Sequence, residues 1–130
     1  MAFSYFRIAK VEGISVIKRS ADLQPVTHHN RFGGAGEVSL KALLAGDEFG
    51  GKGRVFSHIV VFPESSIGFH QHQGDFETYY ILKGEGQVND NGVKTAVKAG
   101  DVIYTRDGES HGLTNTGGCN LELIALVLYS

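Results

Sequence analysis

The sequence has 130 residues, of which 42% are hydrophobic, and this is enough for one domain with its own core. Its formal net charge of -2 gives no basic surface for nucleic acid or anionic membranes, and no apolar run approaches the ~20 residues that span a bilayer. The one cysteine, Cys119, excludes an intrachain disulfide and residues 1–13 lack the apolar stretch of a signal peptide, so we expect a cytoplasmic protein with neither nucleic acid nor membrane as partner.

The first part of the chain is predicted to be mostly irregular. Residues 1–36 are expected to form an N-terminal arm followed by a loop, with a strand candidate at residues 14–17 and a glycine cluster at Gly33, Gly34 and Gly36. Residues 37–45 alternate apolar and polar side chains, although they also contain good helix formers. We favour a strand for this segment.

From residue 55 onward, short runs of β-branched and aromatic residues alternate with turns. The runs cover residues 55–62, 78–82, 86–88, 93–97, 102–105, 111–115 and 121–129. Asn91-Gly92 is typical of a two-residue hairpin between two of them. The chain also has 18 glycines and only 2 prolines, so many short strands at intervals of roughly ten residues predict an all-β sandwich or barrel, with its core in residues 55–129.

Four side chains in this region form a candidate metal site. His70 and His72 are two residues apart, so on a strand both imidazoles point to the same face. Glu77 follows after a short polar turn, and His111 must return to the same place from later in the chain. Three imidazoles and one carboxylate suit one divalent ion, Mn²⁺, Fe²⁺, Co²⁺, Ni²⁺ or Zn²⁺, and do not choose among them. In octahedral geometry, two positions stay open for water or substrate, which is typical of a catalytic or ligand-binding site.

The HxH pair alone is weak evidence, but the surrounding pattern resembles the cupin superfamily. The first cupin motif is a glycine, five residues, HxH, three or four residues, a glutamate, six residues and a glycine. The matching stretch, residues 64–84, is ESSIGFHQHQGDFETYYILKG. The second motif is a glycine, five residues, PxG, two residues, a histidine, three residues and an asparagine, and residues 100–115 are GDVIYTRDGESHGLTN.

Two positions depart from these motifs. Glu64 stands where the first glycine is expected, and we expect Pro63-Glu64 to form a type I turn without a positive φ. Arg106 replaces the proline of the second motif and lies away from the four candidate ligands. The resemblance implies a double-stranded β-helix, or jelly-roll, barrel with one metal ion held by His70, His72, Glu77 and His111 in a small single-domain cupin.

The remaining candidate residues have structural alternatives. Tyr79 shares strand parity with Glu77, so it could donate a hydrogen bond or a proton inside the barrel, or it could be a core aromatic with a satisfied hydroxyl. His58 lies on the preceding strand, and we expect a structural role for it in preference to a role in the pocket. His28 and His29 are expected to be loop residues, because four ligands already exist.

The function is predicted at the level of a class. One hypothesis is a metal-dependent enzyme, an oxidoreductase of dioxygenase type, a decarboxylase or an isomerase, acting on a small carboxylate, enediol or sugar-like substrate. The alternative is a non-catalytic cupin that binds a small ligand as a sensor or storage module, since no second acid/base pair stands out. Residues 121–129 are apolar on both faces, which predicts a homodimer, and dimers are common among cupins.

Overall fold

The computed structural model describes residues 16–130, and the chain there forms short strands with no α-helix. The strands are β1 (Val26–His29), β2 (Glu37–Ala42), β3 (Gly53–Val61), β4 (Ser66–Gln71), β5 (Asp75–Lys83), β6 (Glu85–Asp90), β7 (Val93–Lys98), β8 (Val102–Thr105), β9 (Ser110–Asn115) and β10 (Leu121–Tyr129). Three short 3-10 turns lie at Ser20–Asp22, Arg31–Gly33 and Gly46–Phe49. None of the elements in this part of the chain is a helix long and apolar enough to cross a membrane.

The strands form two antiparallel sheets. One sheet has six strands in the order β1-β2-β3-β10-β5-β8, and the other has four in the order β4-β9-β6-β7. Strands distant in sequence are neighbours in both sheets, as in β3 beside β10 and β4 beside β9. This arrangement is the double-stranded β-helix, so the expectation of an all-β jelly-roll barrel is confirmed.

The core fills the space between the two sheets. Along β10 the residues alternate between fully buried and partly buried, and the buried set is Leu121, Leu123, Ala125 and Val127. Ile81 from β5 and Leu113 from β9 are also fully buried in the same cluster. Strict alternation of this kind places one face of each strand in the core.

The asparagine of the second motif ties the two sheets together. The Asn115 amide nitrogen donates to the carbonyl oxygens of Val61 at 2.9 Å and Cys119 at 2.8 Å. Its amide oxygen accepts from the Gly117 backbone N–H at 2.9 Å. Asn115 is buried, so these bonds satisfy a polar group in the interior and fix the β9–β10 connection against β3.

Most predicted strands are present, with ends that differ from the predicted ones by at most three residues. Of the segment assigned as a strand over residues 37–45, residues 37–42 form β2, and the Asn91-Gly92 turn joins β6 to β7 with positive φ at both residues. The expected N-terminal loop contains a strand, β1, which pairs with β2. Of the strand candidate at 14–17, residues 14 and 15 lie outside the described residues, and Val16 and Ile17 are not in a strand.

The expectation for the turn after β3 is wrong. Glu64 has φ of 62°, in the left-handed region, whereas a type I turn was expected. The family pattern has glycine at this position, and glycine adopts this conformation without steric cost. Glu64 therefore keeps the turn in the conformation for which glycine is suited.

Candidate metal centre

The four predicted ligands come together inside one end of the barrel. One ligand atom from each of His70, His72, Glu77 and His111 lies within 4.8 Å of every other. His70 is near the end of β4, His72 lies just beyond it, and Glu77 and His111 come from β5 and β9. His72, Glu77 and His111 are buried, and His70 is partly exposed.

A β-bulge in β4 turns His70 toward the interior. His111 pairs with His70, but Leu113 pairs with Ile67, so β4 has one residue more than β9 in this stretch. Ile67 and His70 are three residues apart and would face opposite sides of a regular strand, yet both line the same interior cavity. The bulge lies at Gly68 and Phe69.

The cluster is held by short contacts among its nitrogen and oxygen atoms. Glu77 Oε1 is 2.9 Å from His72 Nε2 and 3.0 Å from His111 Nε2. The Nε2 atom of His111 is 3.2 Å from the Nε2 atoms of both His72 and His70. All three imidazoles thus present Nε2 to a common point.

The other ring nitrogen of each histidine has a partner outside the cluster. Nδ1 of His70 is 2.7 Å from the Gly68 carbonyl oxygen, and Nδ1 of His72 is 2.7 Å from Asp75 Oδ1. Nδ1 of His111 is 2.7 Å from Thr105 Oγ1. The carbonyl and the carboxylate can only accept, which assigns a proton to Nδ1 in those two rings and makes Nε2 the nitrogen that would face a metal ion. Three converging Nε2 atoms and a carboxylate are a donor set that fits a divalent cation.

The electrostatic surroundings favour the anionic form of Glu77. Burial acts to raise the pKa of Glu77, but hydrogen bonds from His111 and His72 outweigh it and lower the pKa to about 2. The hydrogen bond to Glu77 raises the pKa of His72, whereas burial lowers the pKa of His70. Glu77 is therefore an anion near neutral pH.

A second bulge brings a cation to the edge of the site. Val127 pairs with Val55 but Leu128 pairs with Gly53, so Arg54 is an extra residue in β3. Its Nε donates to Asp75 Oδ2 at 2.7 Å, while the other oxygen of Asp75 accepts from His72. Burial acts to raise the pKa of Asp75, but the bonds to Arg54 and His72 lower it. The result is a chain of charge-assisted bonds from Arg54 through Asp75 to His72.

Two aromatic rings cover the cluster from opposite directions. The Tyr79 ring stacks on His111 with centroids 4.9 Å apart and planes at 16°. The Phe32 ring stacks on His70 at 3.9 Å and 17°. Burial, followed by the negative charge of Glu77, raises the pKa of Tyr79 well above its usual value, so its phenol stays neutral.

A small cavity opens beside the four ligands. Its volume is about 30 Å³, which is room for about two waters. Its walls combine the aliphatic side chains of Leu40, Val55, Ile59, Ile67 and Val127 with two cations, Arg31 and Arg54. The arrangement can hold a small anion next to the metal ligands.

Comparison with known families agrees with this geometry. A family model described as the cupin domain matches residues 57–127, more than half of the chain. This chain belongs to the cupin family.

Individual cupins differ in how similar they are to this chain. An oxalate-binding protein of Thermotoga maritima is 44% identical over 117 residues, which are 90% of this chain and 97% of that protein. A crystal structure described as a predicted oxalate decarboxylase from Thermotoga maritima has a TM-score of 0.85 at 43% identity and covers 88% of this chain and 100% of that chain. The polyketide cyclase RemF of Streptomyces resistomycificus has a TM-score of 0.70 at 19% identity over 89% of this cupin and 80% of that chain, a likeness of fold alone.

The structure places the other predicted residues in different surroundings. Tyr79 is buried beside Glu77 and His111, where it could donate a hydrogen bond. His58 lies on the outer face of the six-stranded sheet with its Nε2 3.1 Å from Glu122 Oε1, away from the cavity. His28 and His29, on β1, contact Arg31 and Glu37 respectively, so none of these three histidines joins the cluster.

Several residues of this cupin site were not predicted from the sequence. Asp75 was read as an ordinary polar turn residue, although a carboxylate three residues after a candidate ligand is a signal for an orienting partner. Thr105 gives no such signal, because only the fold brings it to His111. Arg31, Phe32 and Arg54 reach the site through a tight turn and a bulge, which strand patterns do not reveal.

Proposed function

We propose that this cupin binds a small dicarboxylate, with oxalate as the preferred candidate, at one divalent metal ion held by His70, His72, Glu77 and His111. The observation behind the proposal is the convergence of three Nε2 atoms and one carboxylate beside a cavity lined by two arginines. A bound Mn²⁺, Fe²⁺, Co²⁺, Ni²⁺ or Zn²⁺ would supply a Lewis acid for carboxylate oxygens.

The arginines support an anionic ligand. Arg54 uses Nε to bind Asp75, and its two Nη groups make no hydrogen bond with any other residue in 16–130. A guanidinium presents its N–H groups in a planar fork that matches a carboxylate. Arg31 lines the same cavity, so two cations face a space in which only a small anion fits.

The choice of oxalate has support from one relative. The Thermotoga maritima protein that is 44% identical is named for oxalate binding. Oxalate has two adjacent carboxylates, so one can meet the metal while the other meets an arginine fork. The aliphatic walls of the cavity would remove bulk water from around these charges and strengthen both interactions.

The same cavity favours binding without turnover. Among residues 16–130, the only carboxylate that lines it is Glu77, which is a proposed ligand. Tyr79 stays protonated because burial raises its pKa, so it can donate a hydrogen bond but cannot accept a proton near neutral pH. We therefore propose a ligand-binding cupin in preference to a decarboxylase, an isomerase or a dioxygenase.

Titration calorimetry with oxalate tests the proposal on metal-free protein and on protein loaded with Mn²⁺ or Co²⁺. We expect one ion per chain and oxalate binding only to the loaded form. Glu77→Gln should lower metal affinity by at least about 100-fold, because losing even an orienting partner costs about 10–100-fold. Equal oxalate binding with and without metal would contradict the proposal.

Glu122→Gln is the matched control, since Glu122 also accepts from a histidine Nε2, at 3.1 Å, but lies outside the cavity. It should leave metal and oxalate binding unchanged. Loaded protein is also incubated with oxalate under air and anaerobically, and the products are analysed. Full recovery of oxalate agrees with a binding function, whereas formate and carbon dioxide would identify a decarboxylase.

A further inference from the structure

The turn that precedes β2 covers the most accessible ligand. His70 is the only partly exposed member of the four-residue cluster. The Phe32 ring lies flat against its imidazole, with centroids 3.9 Å apart, and 52% of Phe32 remains exposed. Phe32 thus separates His70 from the solvent and belongs to the outer surface of the molecule.

The position of this ring is fixed by a strained and closely packed backbone. Asn30 and Phe32 both have φ of 51°, in the left-handed region that a residue such as phenylalanine rarely adopts. A Cβ on Gly68 would lie 2.0 Å from the Phe32 carbonyl oxygen, and one on Gly34 would lie 2.3 Å from the Ser66 carbonyl oxygen. The two glycines therefore let the turn lie directly on β4.

Packing in the hydrophobic core does not account for the position of the Phe32 ring. Half of the residue is exposed, and it is absent from the buried cluster between the sheets. Its ring contacts are instead His70 and the Arg31 guanidinium, whose central carbon lies 4.9 Å from the ring centroid. Strained residues of this kind cluster at ligand sites, where the surrounding structure holds them in place.

We propose that Phe32 determines ligand size in this cupin, because its ring closes the cavity above His70 and restricts the bound anion to about two carbons. This inference rests on the proposed dicarboxylate function. The space beside the ligands is small, with room for about two water molecules, so it leaves little length for a carbon chain behind a metal-bound carboxylate. Without the ring, the cavity would open to the surface along His70 and admit a longer chain.

The first test compares oxalate, malonate and succinate on metal-loaded protein by calorimetry. In Phe32→Ala, malonate and succinate should bind at least about 10-fold more tightly relative to oxalate than in the wild type, equivalent to about 1.4 kcal/mol. Phe69→Ala is the control, because Phe69 is also half exposed, at 51%, next to His70, but does not line the cavity. An unchanged preference order in Phe32→Ala would overturn the proposal.

The second test does not depend on any dicarboxylate. The rate at which a bulky chelator removes the bound metal should rise at least about 10-fold in Phe32→Ala and stay the same in Phe69→Ala. Equal rates in all three proteins would overturn the role of Phe32 as a cover. A wild type that binds none of the three acids overturns the proposed function, and the chelator rates still decide whether Phe32 closes the site.

Phe32→Leu is a second variant for the case in which Phe32→Ala does not fold. Leucine keeps an apolar side chain in the turn while removing the flat ring. Circular dichroism and metal stoichiometry identify variants that keep the fold. If Phe32→Ala unfolds, a faster chelator reaction and relaxed size preference in Phe32→Leu support the proposal. Wild-type behaviour of Phe32→Leu in both tests would contradict it.

Discussion

Asp75 accepts a hydrogen bond at each of its two oxygens, from His72 on one side and from Arg54 on the other. The first bond fixes the tautomer of His72, and the second keeps a cation beside the cavity. Since His72 is buried, its ring has few other means of orientation, and a carboxylate partner also raises the basicity of a ligating imidazole. Asp75 thus links the proposed metal ligands to the proposed anion contact.

Replacing Asp75 with asparagine should weaken metal binding while keeping the fold. The amide oxygen of Asp75→Asn can still accept from His72, but the charge that pairs with Arg54 is lost. We expect metal affinity to fall by about 10–100-fold, measured by competition with a chromophoric chelator. Asp101→Asn is the control, because Asp101 bonds the Lys98 backbone N–H in a turn elsewhere. An affinity within about 3-fold of the wild type would show that the negative charge of Asp75 does not contribute to metal binding.

At the scale of single residues, the sequence predicted the four clustered side chains but not the groups that bind the Nδ1 atoms of the histidines. A metal site requires several ligating residue types, and the HxH spacing with Glu77 and His111 supplied a specific pattern. Apart from Asp75, the partners of the Nδ1 atoms follow no such pattern, since one is a backbone carbonyl and another is a hydroxyl. Any of many polar groups could serve, so only the folded chain identifies them.

At the scale of single elements, the bulge in β4 and the turn that packs on it form one unit. Gly68 lies at the bulge, accepts the His70 Nδ1 bond through its carbonyl and contacts the Phe32 backbone. The close approach of the Phe32 backbone depends on the absence of a side chain at Gly68. The glycine therefore positions a candidate ligand and its aromatic cover together.

Gly68→Ala should destabilise the protein by about 1–3 kcal/mol, the usual cost of forcing extra atoms into a packed interior. The new Cβ would lie 2.0 Å from the Phe32 carbonyl oxygen, so the turn must shift. Urea denaturation at equilibrium measures the change. Gly118→Ala, where no atom lies within 4 Å of an added Cβ, should change stability by less than about 0.5 kcal/mol. Equal stability of the two variants would contradict the prediction.

Strand periodicity predicted the elements well and their irregularities poorly. Residues 102–105 and 121–129 form strands with the predicted bounds, because β-branched runs between turns are a strong local signal. β1 was missed, since its two histidines beside a loop look polar and its pairing with β2 is a tertiary effect. The positive φ of Glu64 was missed because a turn type depends on the chain entering and leaving it.

At the scale of the whole molecule, residues 16–130 leave one face of the six-stranded sheet uncovered. Tyr80, Val102 and Tyr104 project from β5 and β8 and are 47%, 62% and 55% exposed. Ile124 and Leu126 extend this face along β10 as partly buried residues. Contiguous apolar surface of this kind is typical of an interface between protein chains, which motivates the proposed homodimer.

Light scattering should therefore give twice the chain mass of 14.0 kDa. Tyr104→Arg, which places a charge on this face, should shift the population toward 14.0 kDa. Val93→Arg is the control, because Val93 is 67% exposed on β7 in the other sheet and should leave the dimer intact. A wild-type mass of one chain at working concentration would contradict the homodimer.

The two bulges have a consequence for how such a site is inherited. Arg54 and the residue pair Gly68–Phe69 each add one residue to a strand relative to its neighbour. Deleting one residue would restore a regular ladder and turn the following side chains to the opposite face. The number of residues in each strand, as much as their identity, thus determines that Arg54 and His70 face the cavity. Between relatives, a single-codon insertion or deletion at either point would gain or lose this pocket in one step.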